Sequence, residues 1–182
     1  PENGYVYIDA DYSQVELRVL AALSRDEHMM NAFKNDEDIH REVASKVFDI
    51  PFEEVTKEQR SKAKAVNFGI VYGITSFGLS QQLEITRKES QEYIDNYLEK
   101  YNGVKEYMDE QVKNAQNNGF VTTLFGRKRY IPELKSKNYM VREFGKRVAM
   151  NSPIQGTAAD IMKIAMIKCF DELKKSGIDA RI

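Results

Sequence analysis

Two groups of residues in this chain have the types and spacing for phosphate chemistry. The first is acidic. In YVYIDADYSQVELR, residues 5–18, Asp9 and Asp11 end an apolar run and Glu16 follows shortly after. Carboxylates that leave water need a partner. A metal ion is one partner, and a water-filled strand end is the plainer alternative. The second group is RSKAKAVNFGIVYG, residues 60–73. On a helix, Arg60, Lys64, Phe68 and Tyr72 fall at four-residue steps and share one face. Two cations there suit a triphosphate, and the two rings beyond them suit stacking on a base and sugar. An ordinary amphipathic helix is the competing reading. Against it, the cations and rings share a face instead of opposing each other. Gly69 and Gly73 are also placed where an interior glycine costs about 1 kcal/mol relative to alanine, which points to close packing or a pivot.

These residues need elements to hold them. Residues 5–11 alternate, with Val6, Ile8 and Ala10 on one side, and predict a strand. Val15, Leu17, Val19, Leu20 and Leu23 predict a buried helix ending near Ser24, and 26–34 and 38–48 read as helices. TKEQ (56–59) and TRKE (86–89) are capping boxes. They open helices running to about 72 and to about 101. Another helix is expected from about Gly103 to Asn118, with Gly119 as its stop. VTTLFGRKRYIP (121–132) predicts a hairpin around Phe125–Gly126. A helix from about Asn138 is expected to stop near Asn151, with Ser152 and Pro153 starting the next as N-cap and first residue. That helix should end at Gly177, before a strand beginning in IDARI. The fold class expected is mostly α with a small β component, the two terminal strands lying side by side in one sheet.

The 182 residues are 42% hydrophobic and 30% charged, enough for a core in one domain or parts of two. No apolar run reaches the length of a membrane span, and the N-terminal residues do not read as a signal peptide. The single cysteine, Cys169, excludes an internal disulfide framework and is expected to be a small core residue. The net charge of −1 hides an asymmetry: residues 1–55 hold 13 acids and 5 bases, whereas 121–147 hold 8 bases and 2 acids. That pattern suits a protein that holds cations in one place and a polyanion in another, although ordinary solvated faces would also produce it.

Three stretches in order, DYSQVELR (11–18), RSKAKAVNFGIVYG (60–73) and RVAMNSPIQGTAADI (147–161), resemble motif A, the finger helix of motif B and the template-contacting segment of bacterial family A DNA polymerases. DIH (38–40) and GRKRYIP (126–132) are similar to that family as well. The resemblance spans nearly the whole chain. It implies polymerase fingers helices inserted between strands of an incomplete palm sheet: residues 1–24 palm, 25–137 fingers with the nucleotide-binding helix 57–73, and 138–182 a return to palm.

The resemblance also assigns roles. Asp11 would be a catalytic carboxylate binding both of two Mg²⁺ ions, with the Tyr12 carbonyl as a further ligand. Glu16 would be the steric gate against a ribose 2′-hydroxyl; an acid in a first helical turn is also favourable to the helix dipole for its own sake. Gln14, His40, Arg60, Lys64, Phe68 and Tyr72 would line the deoxynucleoside triphosphate (dNTP) site, with Lys64 also the general acid for pyrophosphate. Phe68 implies discrimination against dideoxynucleotides. Tyr72 and Gly73 would guard the templating position. Arg147, Asn151 and Gln155 would read the minor-groove edge of primer-template DNA, whose acceptors test pairing shape more than sequence. Gln155 competes with a capping role in SPIQ (152–155). Arg127 and Arg129 would meet backbone phosphates.

The family's third motif, which supplies a second metal-binding carboxylate, would lie beyond residue 182. The chain is therefore expected to be inactive alone and to expose a palm edge open to self-association. A cytoplasmic, nucleoid-associated parent in a bacterium is implied, with no membrane partner. Two other readings stay open. A non-catalytic nucleic-acid-binding module leaves Asp11, Glu16 and the row on residues 60–72 without a purpose. A single-subunit RNA polymerase conflicts with Glu16.

Overall fold

A computed structural model describes residues 4–180. Helices dominate. In chain order they are α1 (Val15–Ser24), α2 (Glu27–Lys34), α3 (Ile39–Val47), α4 (Lys57–Val71), α5 (Ser76–Leu83), α6 (Arg87–Lys100), α7 (Asn102–Asn118) and α8 (Tyr139–Ser176). Strands β1 (Phe120–Thr122) and β2 (Lys128–Tyr130) form an antiparallel hairpin between α7 and α8, with Val121 opposite Arg129. The fold class is thus the expected one, mostly α with a small β part. Among the described residues, no helix is long and apolar enough to cross a membrane.

Local chemistry explains most boundaries. Thr56 and Gln59 close a capping box at the start of α4, and Thr86 and Glu89 close another at α6. Each satisfies two backbone donors that a helix start leaves orphaned. Asp26 caps α2 by accepting from the Met29 N–H, and its other oxygen accepts from the Gly103 N–H at 3.0 Å, tying α2 to the start of α7. Gly126, at φ 82°, takes the left-handed turn of the hairpin that a side chain would strain.

One apolar cluster runs through α1 to α4, α6 and α7 and on to Ile154 and Ala158 of α8; Leu17, Leu20, Ile39, Val66, Tyr97 and Ile154 are among its fully buried members. It crosses position 24, where a palm–fingers boundary was expected. α3 packs on α4, and α1 packs on both α7 and α8.

The structure corrects several expectations. Residues 5–11 form no strand; Val6, Tyr7 and Ile8 are exposed, because no described segment lies alongside to complete a ladder. Residues 178–180 form none either, and positions 181–182 of that predicted strand lie outside the described residues. The two segments still meet: the Tyr5 hydroxyl donates to the Asp179 carboxylate. The sheet edge on which self-association was expected is therefore not formed among the described residues. Pro153 starts no helix but lies inside α8. An interior proline loses one backbone bond, at roughly 3 kcal/mol. Burial of Ala149, Pro153, Ile154, Thr157 and Ala158 on the neighbouring elements offsets that loss. Cys169 is exposed, not core. Helix α5 was not anticipated; Thr75 caps it by accepting from the Gly78 N–H.

Candidate functional site

Helix α4 presents the expected row. Arg60 and Phe68 are half-buried, and Lys64 and Tyr72 are exposed, so the face looks outward and is not packed into the core. The opposite face, with Ala63, Val66, Ile70 and Val71, supplies the core. At the N-terminal end, the Arg60 Nε donates to Asp38 Oδ2 at 2.6 Å. Asp38 is also the N-cap of α3, accepting from the His40 and Arg41 N–H groups. Burial alone would raise the Asp38 carboxyl, but the Arg60 guanidinium and the backbone donors outweigh it and hold it below the usual range. His40 follows in α3, 2% exposed, its ring centroid 6.0 Å from that of Phe68. Lys64 Nζ lies 5.9 Å from the Phe68 centroid. Two cations, a histidine and a ring are thereby gathered on two helices. Burial, aided by the positive charges of Arg60 and Lys64 and opposed by Asp38, pushes His40 down to about 4.

The C-terminal end of the row meets α1 and α8. The Tyr72 hydroxyl donates to the Glu16 carboxylate at 2.9 Å and also faces the side chain of Gln155. Burial and Glu16 raise that hydroxyl above its ordinary value, against the Gln155 bond. Asn151 donates from Nδ2 to the Val71 carbonyl at 3.1 Å, closing an orphan acceptor at the end of α4. Gly73 follows at φ 66°; a Cβ there would stand 2.9 Å from Met150 Cε and 3.0 Å from Arg147 Cγ. The absence of a side chain lets the chain turn against α8. Arg147 also stacks its guanidinium over Phe144 at 5.8 Å. A groove of about 380 Å³ opens beside Gly73, lined by Lys113, Lys146, Arg147 and Met150 among others. Gln155 is exposed inside α8 and caps nothing, so the capping alternative for it falls.

The remaining candidates are more scattered. Asp11 and Tyr12 are exposed on the segment before α1, and Gln14 takes the left-handed conformation at φ 55° as α1 begins. Among the described residues, no three His, Cys, Asp or Glu side chains cluster to hold a metal ion. Magnesium prefers about six oxygens in near-octahedral order. Asp11 and a backbone carbonyl do not fill that sphere, so the described residues do not fit a two-ion site. In the hairpin, Arg127 is exposed and reaches across to α8, donating from Nε to Asp160 Oδ1 at 3.0 Å and from Nη2 to the Gly156 carbonyl at 2.9 Å. Arg129 and Lys128 stay exposed.

Two participants had not been singled out. Asp38, read only as part of DIH, joins α3 to Arg60. Asn67, inside the 60–73 stretch, is 0% exposed and pairs with His40 at 3.0 Å. An asparagine at an interior position of a helix, where its propensity is poor, was the available signal.

Comparison with known proteins identifies the family. The family model for DNA polymerase family A matches residues 1–182. The chain is 57% identical over 182 residues to DNA polymerase I of Caldicellulosiruptor bescii and 55% identical over 181 residues to that of Bacillus subtilis. Both alignments cover 100% of this chain and 21% of the relative, so the chain spans about a fifth of their length. A solved structure of the POL domain of Pol1 from M. smegmatis, in complex with DNA primer-template and dNTP, superposes with a TM-score of 0.90 at 45% identity, covering 94% of this chain and 30% of that one. The chain belongs to DNA polymerase family A.

Proposed function

We propose that this chain is the nucleotide-selecting part of a DNA-directed DNA polymerase, in which the outward face of α4 holds an incoming dNTP against primer-template DNA. The observation that carries the reading is the gathering of Arg60, Lys64, His40 and Phe68 on α3 and α4, with Tyr72 of the same row bonded to Glu16. Cations at one end of the row match a triphosphate, and the Phe68 ring beyond them matches the sugar and base. Lys64, exposed and beside that ring, is placed to give a proton to departing pyrophosphate. Glu16, held by Tyr72, excludes a 2′-hydroxyl. Arg147, Asn151 and Gln155 follow the primer-template terminus, and the exposed Arg127 and Arg129 meet phosphate.

In this reading residues 1–24 and 138–182 belong to a palm and 25–137 to fingers. The parent works on the chromosome in the bacterial cytoplasm. Two Mg²⁺ ions, if bound in the parent, would supply charge stabilisation for phosphoryl transfer. Asp11 and the Tyr12 carbonyl are the donors this chain offers, and the others must come from outside the described residues.

Binding of deoxyadenosine triphosphate, measured by calorimetry, tests the reading. Bonds to charged groups are worth about 1.5–3 kcal/mol, so Lys64→Ala should weaken binding roughly 10- to 150-fold. Lys62→Ala should leave it unchanged, since Lys62 pairs with Glu58 at 2.8 Å away from the row. Equal losses in both variants would refute the α4 face as the site. The 182-residue chain itself should show no primer extension, because the metal donors are incomplete. Extension that disappears in Asp11→Ala would overturn that second expectation.

A further inference from the structure

The row on α4 is backed by a buried polar contact that the reading above does not use. Asn67 Nδ2 lies 3.0 Å from His40 Nδ1, linking α4 to α3, and Asn67 Oδ1 is buried without a partner. An amide nitrogen only donates, so the imidazole nitrogen facing it carries the lone pair. With Nδ1 accepting, the ring proton belongs on Nε2. Turning the amide over would leave both of its N–H groups buried without an acceptor in place of one carbonyl oxygen, and buried N–H groups are orphaned more rarely than carbonyls.

We infer that Asn67 is a positioning residue that keeps the proton of His40 on Nε2, so that this edge of the ring is a hydrogen-bond donor to a triphosphate oxygen. The inference rests on the nucleotide reading for the identity of the ligand, not for the state of the ring. The groups facing the ring agree with it. Asp38 caps α3, and Arg60 and Lys64 lie on α4. Two cations against one carboxylate, in a buried site, disfavour a third positive charge. The Nε2 donor is therefore an uncharged N–H at neutral pH, and Arg60 and Lys64 supply the charge.

The chain has two histidines, His28 and His40, which makes the test tractable. Long-range proton–nitrogen NMR on the chain labelled at histidine nitrogens distinguishes the two tautomers and the charged form, and His28→Gln assigns the signals. At pH 7 and without ligand, His40 should show the proton on Nε2. Asn67→Asp should move a proton onto Nδ1, because a carboxylate there accepts. Deoxyadenosine triphosphate affinity should fall about five- to tenfold in Asn67→Ala, one neutral hydrogen bond's worth. Wild-type His40 protonated on Nδ1 would overturn the inference by itself, whatever the variants do. So would an Asn67→Asp spectrum identical to the wild type in a folded chain. An Nε2 proton with no nucleotide binding would sink the nucleotide reading and leave the positioning role standing. The converse pair of results would do the opposite.

Discussion

Replacing Leu17 by alanine should destabilise the chain by about 3–5 kcal/mol, the upper part of the range for a leucine removed from a packed core. Leu17 is 0% exposed and sits on α1, which contacts α4, α7 and α8. The surrounding helices are packed on one another, which limits collapse into the gap. The consequence extends to the site. Leu17 follows Glu16, so its anchorage sets how α1 offers that carboxylate to Tyr72. Urea denaturation followed by circular dichroism measures the loss. A change below about 1 kcal/mol would show that α1 is not part of the common core.

The second large effect is a dependence of stability on pH centred on His40. In the folded chain this ring holds a proton only below about 4, whereas in the unfolded chain it does so below about 6.5. Above pH 6.5 both states are neutral and the stability is intact. As pH falls from 6.5 towards 4, the unfolded chain takes up the proton first, so folding is progressively disfavoured. The gap between those values corresponds to about 3 kcal/mol. Glu42, raised chiefly by burial, acts with the opposite sign, so the readout must be the difference from a variant. His40→Gln keeps a polar group for Asn67 and should flatten the wild-type slope between pH 6.5 and 4. Parallel slopes in the two chains would show that His40 takes up its proton at the same pH folded and unfolded.

Much of the site was legible because its elements are specified locally. The capping boxes at Thr56 and Thr86, the stop at Gly119 and the hairpin turn at Gly126 each depend on a few neighbouring residues, and all stand in the structure. The row from Arg60 to Tyr72 follows from helical spacing once α4 exists. What was not legible depends on distant partners. The alternation in residues 5–11 describes a surface that a sheet would cover, and no described segment covers it. Pro153 carries a strong local signal for a helix start, yet the buried flank of α8 overrides it. Arg127 reads as a phosphate contact by composition, and its pairing with Asp160, far away in sequence, could not be read from the hairpin. His40 could not be read as buried, because its burial comes from the packing of α3 on α4. The pairing of Asn67 with it needs two helices in register.

The outward face of α4 is proposed to grip a nucleoside triphosphate. Backbone amide chemical-shift mapping during titration of the chain with deoxyadenosine triphosphate tests it most directly. Shifts concentrated at residues 60, 64 and 68 and at His40 are the predicted result. Shifts confined to the basic hairpin at residues 127–129, with α4 unmoved, would contradict it.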